Sequence, residues 1–331
     1  MAAPARSLRD ATPATSDSSD EGEPSSAASI PIARLRELSA VHPVRALARS
    51  LTEWALILGA AWACERYFSG AAYILCVVWI GSRQLALHSL VHEATHQRFV
   101  PWRRWNDRLA DPVAAWPLFM TTRAYRNAHF PHHRHLNSEL DPFWVARQSQ
   151  HDYALPKSWW GFLGVFVRYV TGLGALTRLW TLVRLHKSTS SRHEQRLDAR
   201  ALCQLACYVV AATSITWLGA WKLVMLYWIV PLATWKAWTT YLKGFVEHSA
   251  LPATHPLNKA RTTLPGLFSR LLLLPLNIHY HIEHHLYPSV PYYRLPVLHR
   301  ELMASAEYRR LAHVTRGFWR VLREGVAFRP S

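Results

Sequence analysis

Residues 71–96 read AAYILCVVWIGSRQLALHSLVHEATH, and this stretch decides the fold. An apolar run begins at Ala71, is interrupted by Arg83 and Gln84, and resumes before the HEATH motif of His92 and His96. A run of that length predicts a membrane-spanning helix. Its hydrocarbon crossing centres on residues 70–87, and the helix continues past the bilayer to carry its histidines. Two histidines four apart stand one turn apart on one helix face, able to hold one metal ion or two neighbouring ones. His88 lies one turn earlier on the same face.

Three more segments read as spans: residues 51–68, 201–218 and 221–242, the last with Pro231 predicting a kink and Lys236 as a polar residue inside it. Between the second and third spans, residues 98–200 carry sixteen Arg and Lys, while the short turns near 66–70 and 219–222 carry one each, Arg66 and Lys222. The excess of basic residues marks the cytoplasmic side, which places the N-terminus, the central segment, the C-terminus and every histidine cluster there. The same distribution accounts for the net charge of +17, so an anionic membrane face, and no nucleic acid, is the expected partner.

Residues 1–30 are rich in Ala, Ser, Pro and acid, lack the apolar region of a signal peptide, and read as a disordered cytoplasmic tail. Residues 31–50 read as an amphipathic lead-in on the membrane surface, 51–310 as the integral-membrane domain, and 311–331 as a C-terminal cytoplasmic tail. The apolar stretches 159–183 and 267–277 are interrupted by arginines or too short to cross, which predicts interfacial helices. The expected fold is an all-α membrane protein: four transmembrane helices, a cytosolic histidine-rich helical cap, and interfacial helices. The four cysteines all lie in or beside apolar segments and read as small buried side chains, not as a disulfide or zinc framework.

Two further clusters join HEATH. His129, His132 and His133 lie in HFPHH, and His281, His284 and His285 in HYHIEHH. Adjacent positions diverge by roughly 100° on a helix, so His132 and His133 are able to serve different metals. Imidazole is the commonest metal ligand. Eight clustered histidines are too many for one ion and suit two. His248, with Glu247 beside it, sits just beyond the fourth span, where a bundle would converge with the second. Asn277 could offer its amide oxygen directly or through water, and Asp141 and Glu247 are candidates to support ligating rings from behind. His88 and His135 flank the motifs as weaker candidates. Arg123, Arg126 and Lys243 could hold an anionic substrate head, although the positive-inside pattern accounts for them better. HEATH also matches the zinc-peptidase pattern HExxH, but that reading leaves the other clusters unemployed. A metal transporter would place its ligands near the bilayer midplane, whereas these lie beyond helix ends.

The three motifs together, with DPF after the second and LYP after the third, resemble the membrane fatty acid desaturase and hydroxylase family over roughly residues 50–305. The resemblance implies a mushroom-shaped bundle of four membrane helices whose cytosolic cap holds a non-haem di-iron centre. It also implies dioxygen as co-substrate and electrons from a separate ferredoxin, rubredoxin or cytochrome b5 type donor. The family's histidine pair and two triads map onto His92 and His96, onto His129, His132 and His133, and onto His281, His284 and His285. An additional ligand after the fourth helix corresponds to His248, and an asparagine-type position to Asn277. No haem-binding module or cysteine-rich iron–sulfur spacing occurs in the chain, in keeping with a separate donor.

Oxidation of an unactivated C–H bond needs a redox metal, which favours iron over zinc. Removal of two neighbouring hydrogens gives an alkene; removal of one with return of a hydroxyl gives an alcohol. The leading expectation is desaturation of a long acyl or similar lipid chain. The alternatives are a hydroxylase or ketolase acting on a lipid, carotenoid or smaller amphiphile, and, from another class, a zinc peptidase or metal transporter.

Overall fold

The computed structural model describes residues 29–177 and 199–328. The expected N-terminal tail up to residue 28, and the 178–183 end of the predicted interfacial stretch, lie outside the described residues.

Two long helices form the first hairpin, Arg45–Arg66 and Gly70–Thr95. Ser69 turns the chain between them, its side chain accepting the N–H of Ala72 as an N-cap. The first helix begins earlier than expected: residues 45–50 belong to it, and the separate lead-in shrinks to the short helix Ile32–Leu38. Ala46, Ser50, Glu53 and Ile57 are the reason, since they bury one continuous stripe across the expected boundary.

Arg83 does not mark the point where the second helix leaves an apolar environment. It is fully buried, donates to Glu53 at 3.3 Å and to the carbonyl of Leu271, and so ties the hairpin to the Leu267–Leu272 helix. Glu53 also accepts from Arg49 at 2.7 Å. A buried arginine between carboxylate and carbonyl is satisfied, so its helix runs on unbroken.

The Ala199–Trp217 helix and the Gly70–Thr95 helix are the described helices long and apolar enough to cross a membrane. They differ in burial: the apolar window is 67% buried in Gly70–Thr95 and 0% buried in Ala199–Trp217. Cys64 and Cys76 are buried as expected, while Cys203 and Cys207 face outward from the exposed helix.

The predicted fourth span is segmented. A helix Trp221–Val224 passes into a π-helical turn Met225–Ile229, then Val230–Ala233, and the chain breaks at Thr234 before the helix Trp235–His248. Pro231, lacking an N–H, accounts for the widened turn before it. The final helix crosses Gly70–Thr95 closely at Gly81, where a Cβ would stand 2.8 Å from Cβ of Trp235 and 2.9 Å from the Lys236 nitrogen.

Residues 311–328 are not a tail. Val314–Arg316 pairs in parallel with Thr262–Leu264 in a two-stranded ladder that an all-helical reading misses. The helix Phe318–Ala327 then buries Val321, Leu322 and Gly325 against the aromatic core of Phe162, Tyr241 and Phe245. Every third or fourth residue of that short helix is apolar, which suffices to dock it. The stretches predicted to be interfacial contain the helices Trp159–Val170 and Leu267–Leu272, the latter exposing Leu267 and Phe268.

Candidate metal centre

Four helix ends meet in one place. His92 closes the Gly70–Thr95 helix and His96 caps it. The helix Thr122–Arg134, started by the Thr121 side chain accepting from Ala124, brings His129, His132 and His133 in its last turns. His248 ends the helix Trp235–His248, and the short helix His281–Leu286 carries His281, His284 and His285.

The nine rings sort into two groups. His92, His96, His129, His133 and His284 form one, and His132, His248, His281 and His285 the other, with ligand atoms in each within 4.8 Å of one another. The sharing is crossed. In HFPHH the outer pair joins the five-imidazole group and the middle histidine the other; in HIEHH the outer pair joins the four-imidazole group and the middle histidine the first. An i,i+4 pair faces one way and the residue between them faces another.

The ring nitrogens converge at close range. Nε2 of His129 lies 2.9 Å from Nε2 of His96 and of His133, and Nε2 of His284 lies 3.1 Å from that of His133. In the second group Nε2 of His281 is 2.8 Å from that of His248 and 3.1 Å from that of His285. Two ligand nitrogens at right angles on an ion roughly 2.0–2.2 Å from each stand roughly 2.8–3.1 Å apart, whereas a tetrahedral ion holds them at roughly 3.3–3.6 Å. The nitrogens in each group are therefore close enough to share a metal ion.

Burial foremost, with neighbouring imidazoles second, holds the pKa of His129, His284 and His285 well below the usual histidine value. Neutral rings are the ligating form, so the set is ready for metal without losing protons. Behind the second group stand carboxylates. Asp141 lies 2.9 Å from Nδ1 of His132 and also accepts the backbone N–H of Asn137, Phe143 and Trp144. Burial alone would raise the Asp141 carboxyl, but these donors outweigh it and hold it below its ordinary value. Glu247 lies 3.5 Å from Nδ1 of His281 and accepts from Lys243 at 2.7 Å.

The remaining candidates have distinct places. His88 packs edge-on against Tyr125 and belongs to neither group, and neither does His135, which caps the Thr122–Arg134 helix. Asn277, at φ 57°, donates its amide N–H to the carbonyl of Tyr292, leaving its oxygen as the end it could present. Arg126 is committed to Asp107 and to the carbonyls of Ala94 and Thr95, which gives it a packing task in place of substrate-head contact. Arg123 is exposed.

A cavity of about 10 Å³ touches both groups at His92, His281 and His284, and is otherwise lined by Glu93, Lys243, Glu247, Ile278, Tyr292 and Leu295. Sequence reading missed the carboxylates inside the motifs. Glu283 accepts from Thr262, His299 and Tyr308, fixing the third motif to the β-ladder, and Glu93 accepts the Tyr292 N–H. The available signal was their position, between ligating histidines but turned to the opposite helix face.

The fatty acid desaturase family matches residues 69–317. The chain belongs to the fatty acid desaturase family. Among its relatives are a dihydrorhizobitoxine desaturase of Bradyrhizobium elkanii, 29% identical over 72% of this chain and 70% of the relative, and an sn-1 oleoyl-lipid 12-desaturase of a Synechocystis strain, 24% identical over 75% of each. A β-carotene ketolase of a Paracoccus strain is 26% identical over 68% of this chain and 77% of the relative. The protein is accordingly an oxidoreductase, and its histidine groups are placed to hold metal.

Proposed function

We propose that the protein desaturates an aliphatic chain using dioxygen, with two iron ions held by the crossed histidine groups and electrons from a separate ferredoxin, rubredoxin or cytochrome b5 type donor. The observation that carries the reading is the pair of adjacent groups, five and four imidazoles, whose ring nitrogens converge within 4.8 Å in each. Bound iron supplies the redox chemistry that C–H oxidation requires and that zinc lacks. The residues supply the rest. Asp141 orients His132 from behind, Glu247 stands 3.5 Å behind His281, and Asn277 could offer its amide oxygen directly or through water. The buried cap excludes bulk solvent from the reacting carbon. Four spans, with both termini cytoplasmic, support this cap from below; the charge asymmetry of the sequence is the warrant.

The first substrate reading is a long acyl or similar lipid chain, because each methylene moved into an apolar channel contributes roughly 0.8 kcal/mol. One observation favours a second reading, a smaller amphiphile: Lys243, Glu93 and Glu247 place charged groups in the lining beside the histidine groups. The relatives' substrates by name, dihydrorhizobitoxine, an oleoyl lipid and β-carotene, accord with either. Mass spectrometry of lipids and small-molecule extracts from cells expressing the protein, beside a His284→Ala control, decides. A product short of two hydrogens in the lipid fraction supports the first reading, and one in the polar fraction the second. A product that gains oxygen overturns desaturation in favour of hydroxylation or ketolation.

A further inference from the structure

The helix Arg103–Ala110 presents two unlike faces. Asn106, Asp107 and Ala110 are buried, and Asn106 donates to the Ala94 carbonyl at the end of the Gly70–Thr95 helix. The opposite face exposes Arg103, Arg104 and Arg108 with Trp105, beside the exposed Trp102 that precedes the helix. Arg104 and Arg108 both lie over the Trp105 ring, at 6.0 and 5.6 Å from its centroid. An open cavity of about 360 Å³ is lined by Trp102, Arg104, Trp105 and Leu109. The single acid of this helix, Asp107, is turned inward and bonded to Arg126, so the outer face carries positive charge unopposed by its own helix.

Asp107 also fixes the level of this face. It pairs at 3.4 Å with Arg200, in the first turn of the Ala199–Trp217 helix. That helix is roughly 28 Å long, close to the hydrocarbon thickness. The basic, aromatic face therefore lies at the boundary where a span meets the lipid headgroups.

We propose that Trp102, Arg104, Trp105, Arg108 and Leu109 form a binding site for an anionic phospholipid, with the arginines on its phosphate and the indoles and Leu109 against its glycerol and upper acyl chain. The inference rests on reading Ala199–Trp217 as a membrane span. A free phosphate would leave the exposed indoles and Leu109 without purpose. An acidic protein would answer the arginines, and the test below separates it from a lipid. Indole and guanidinium side by side are the pairing that interfacial lipid favours.

The test uses the full chain in neutral detergent, titrated with dioleoyl phosphatidylglycerol or dioleoyl phosphatidylcholine, with bound lipid read by native mass spectrometry. We expect preferential retention of phosphatidylglycerol. Each of Arg104→Gln and Arg108→Gln should weaken it about fivefold, and the two together about twentyfold or more; Arg316→Gln with Arg320→Gln, exposed elsewhere, should not. Trp105→Ala should weaken both lipids. Equal retention by wild type and the double variant overturns the site, as does displacement of the lipid by millimolar inorganic phosphate. Loss of electron acceptance from a reduced acidic ferredoxin with lipid retention unchanged also overturns it, in favour of a protein-docking face. Alkaline carbonate extraction tests the spans separately: release from membranes overturns the topology and the site with it, whereas embedded protein without lipid selectivity overturns the site alone.

Discussion

In the four-imidazole group Nδ1 of His132 is hydrogen-bonded to Asp141 at 2.9 Å and that of His281 lies 3.5 Å from Glu247, while Nδ1 of His248 has no partner among the described residues. In the five-imidazole group the carboxylate beside His92, that of Glu93, is 4.0 Å from its Nδ1, and Nδ1 of His129 has no partner among the described residues. The smaller group has one ring fixed by a hydrogen-bonded carboxylate and a second facing one; the larger has more ligands, held by packing. A ring whose distal nitrogen faces a carboxylate has its tautomer and orientation set before metal arrives, and it is a stronger base. The two halves of the centre thus reach a metal-ready arrangement by different means, and variants should tell them apart.

The largest effects come from the ligands themselves. His248→Ala and His284→Ala should each abolish turnover, but their metal contents should differ. His248→Ala leaves three imidazoles in its group and should fall from two iron ions to about one per chain, while the fold stays assembled. His284→Ala leaves four and should keep more of its metal. Iron analysis of both purified variants is the measurement; equal loss from both would remove the distinction, and full loading with normal rate in His248→Ala would remove His248 from the centre. Next in size are the supporting carboxylates. Asp141→Asn keeps an N-capping side chain for the helix Pro142–Gln148, so it isolates the effect on His132. Asp141→Asn and Glu247→Gln should each weaken iron binding by about 10–100-fold, in the four-imidazole group alone. A competition titration with a chelator, resolving two binding steps, would break the comparison if the other step moved as well.

Much of this centre was legible because helix geometry is local. The i,i+4 pairs in HEATH, HFPHH and HIEHH set which histidines share a face, and the divergence of His132 from His133 follows from the same rule. What was not legible is tertiary. Nothing local says that His284 crosses to join His92 while His285 joins His248. Glu283 reads as one more acid until the ladder brings Thr262 and Tyr308 to it. Arg83 broke an apolar pattern because its partner, Glu53, lies thirty positions away. The folded end of the chain was hidden for a related reason: Val314–Arg316 and Phe318–Ala327 are short elements whose stability comes from the surfaces they meet.

A smaller effect is expected where the helices carrying the two groups cross. Gly81 lies on the helix that ends in His92 and His96, and it touches the start of the helix that ends in His248. Gly81→Val would drive a side chain into Cβ of Trp235 and the Lys236 backbone, so the helices must separate, at a cost of about 1–3 kcal/mol. Thermal melting of the detergent-purified protein should report a lower midpoint. If the melt is unchanged, the close crossing does not hold the two halves of the centre together.

The smallest effect is expected at His88, and it bounds the five-imidazole group. His88 stands one turn before His92 on the same helix, so sequence spacing alone would allow it as a sixth ring. It lies instead edge-on to Tyr125, at 5.2 Å between centroids, and its buried Nε2 has no hydrogen-bond partner among the described residues. Replacing a buried nitrogen that bonds to nothing with a carbon ring of similar shape removes a desolvation cost and keeps the edge contact. His88→Phe should therefore retain two iron ions per chain and melt at the same temperature or slightly higher. Should iron fall in this variant, the group has a sixth ring and the contrast between its five ligands and its neighbour's four is drawn in the wrong place.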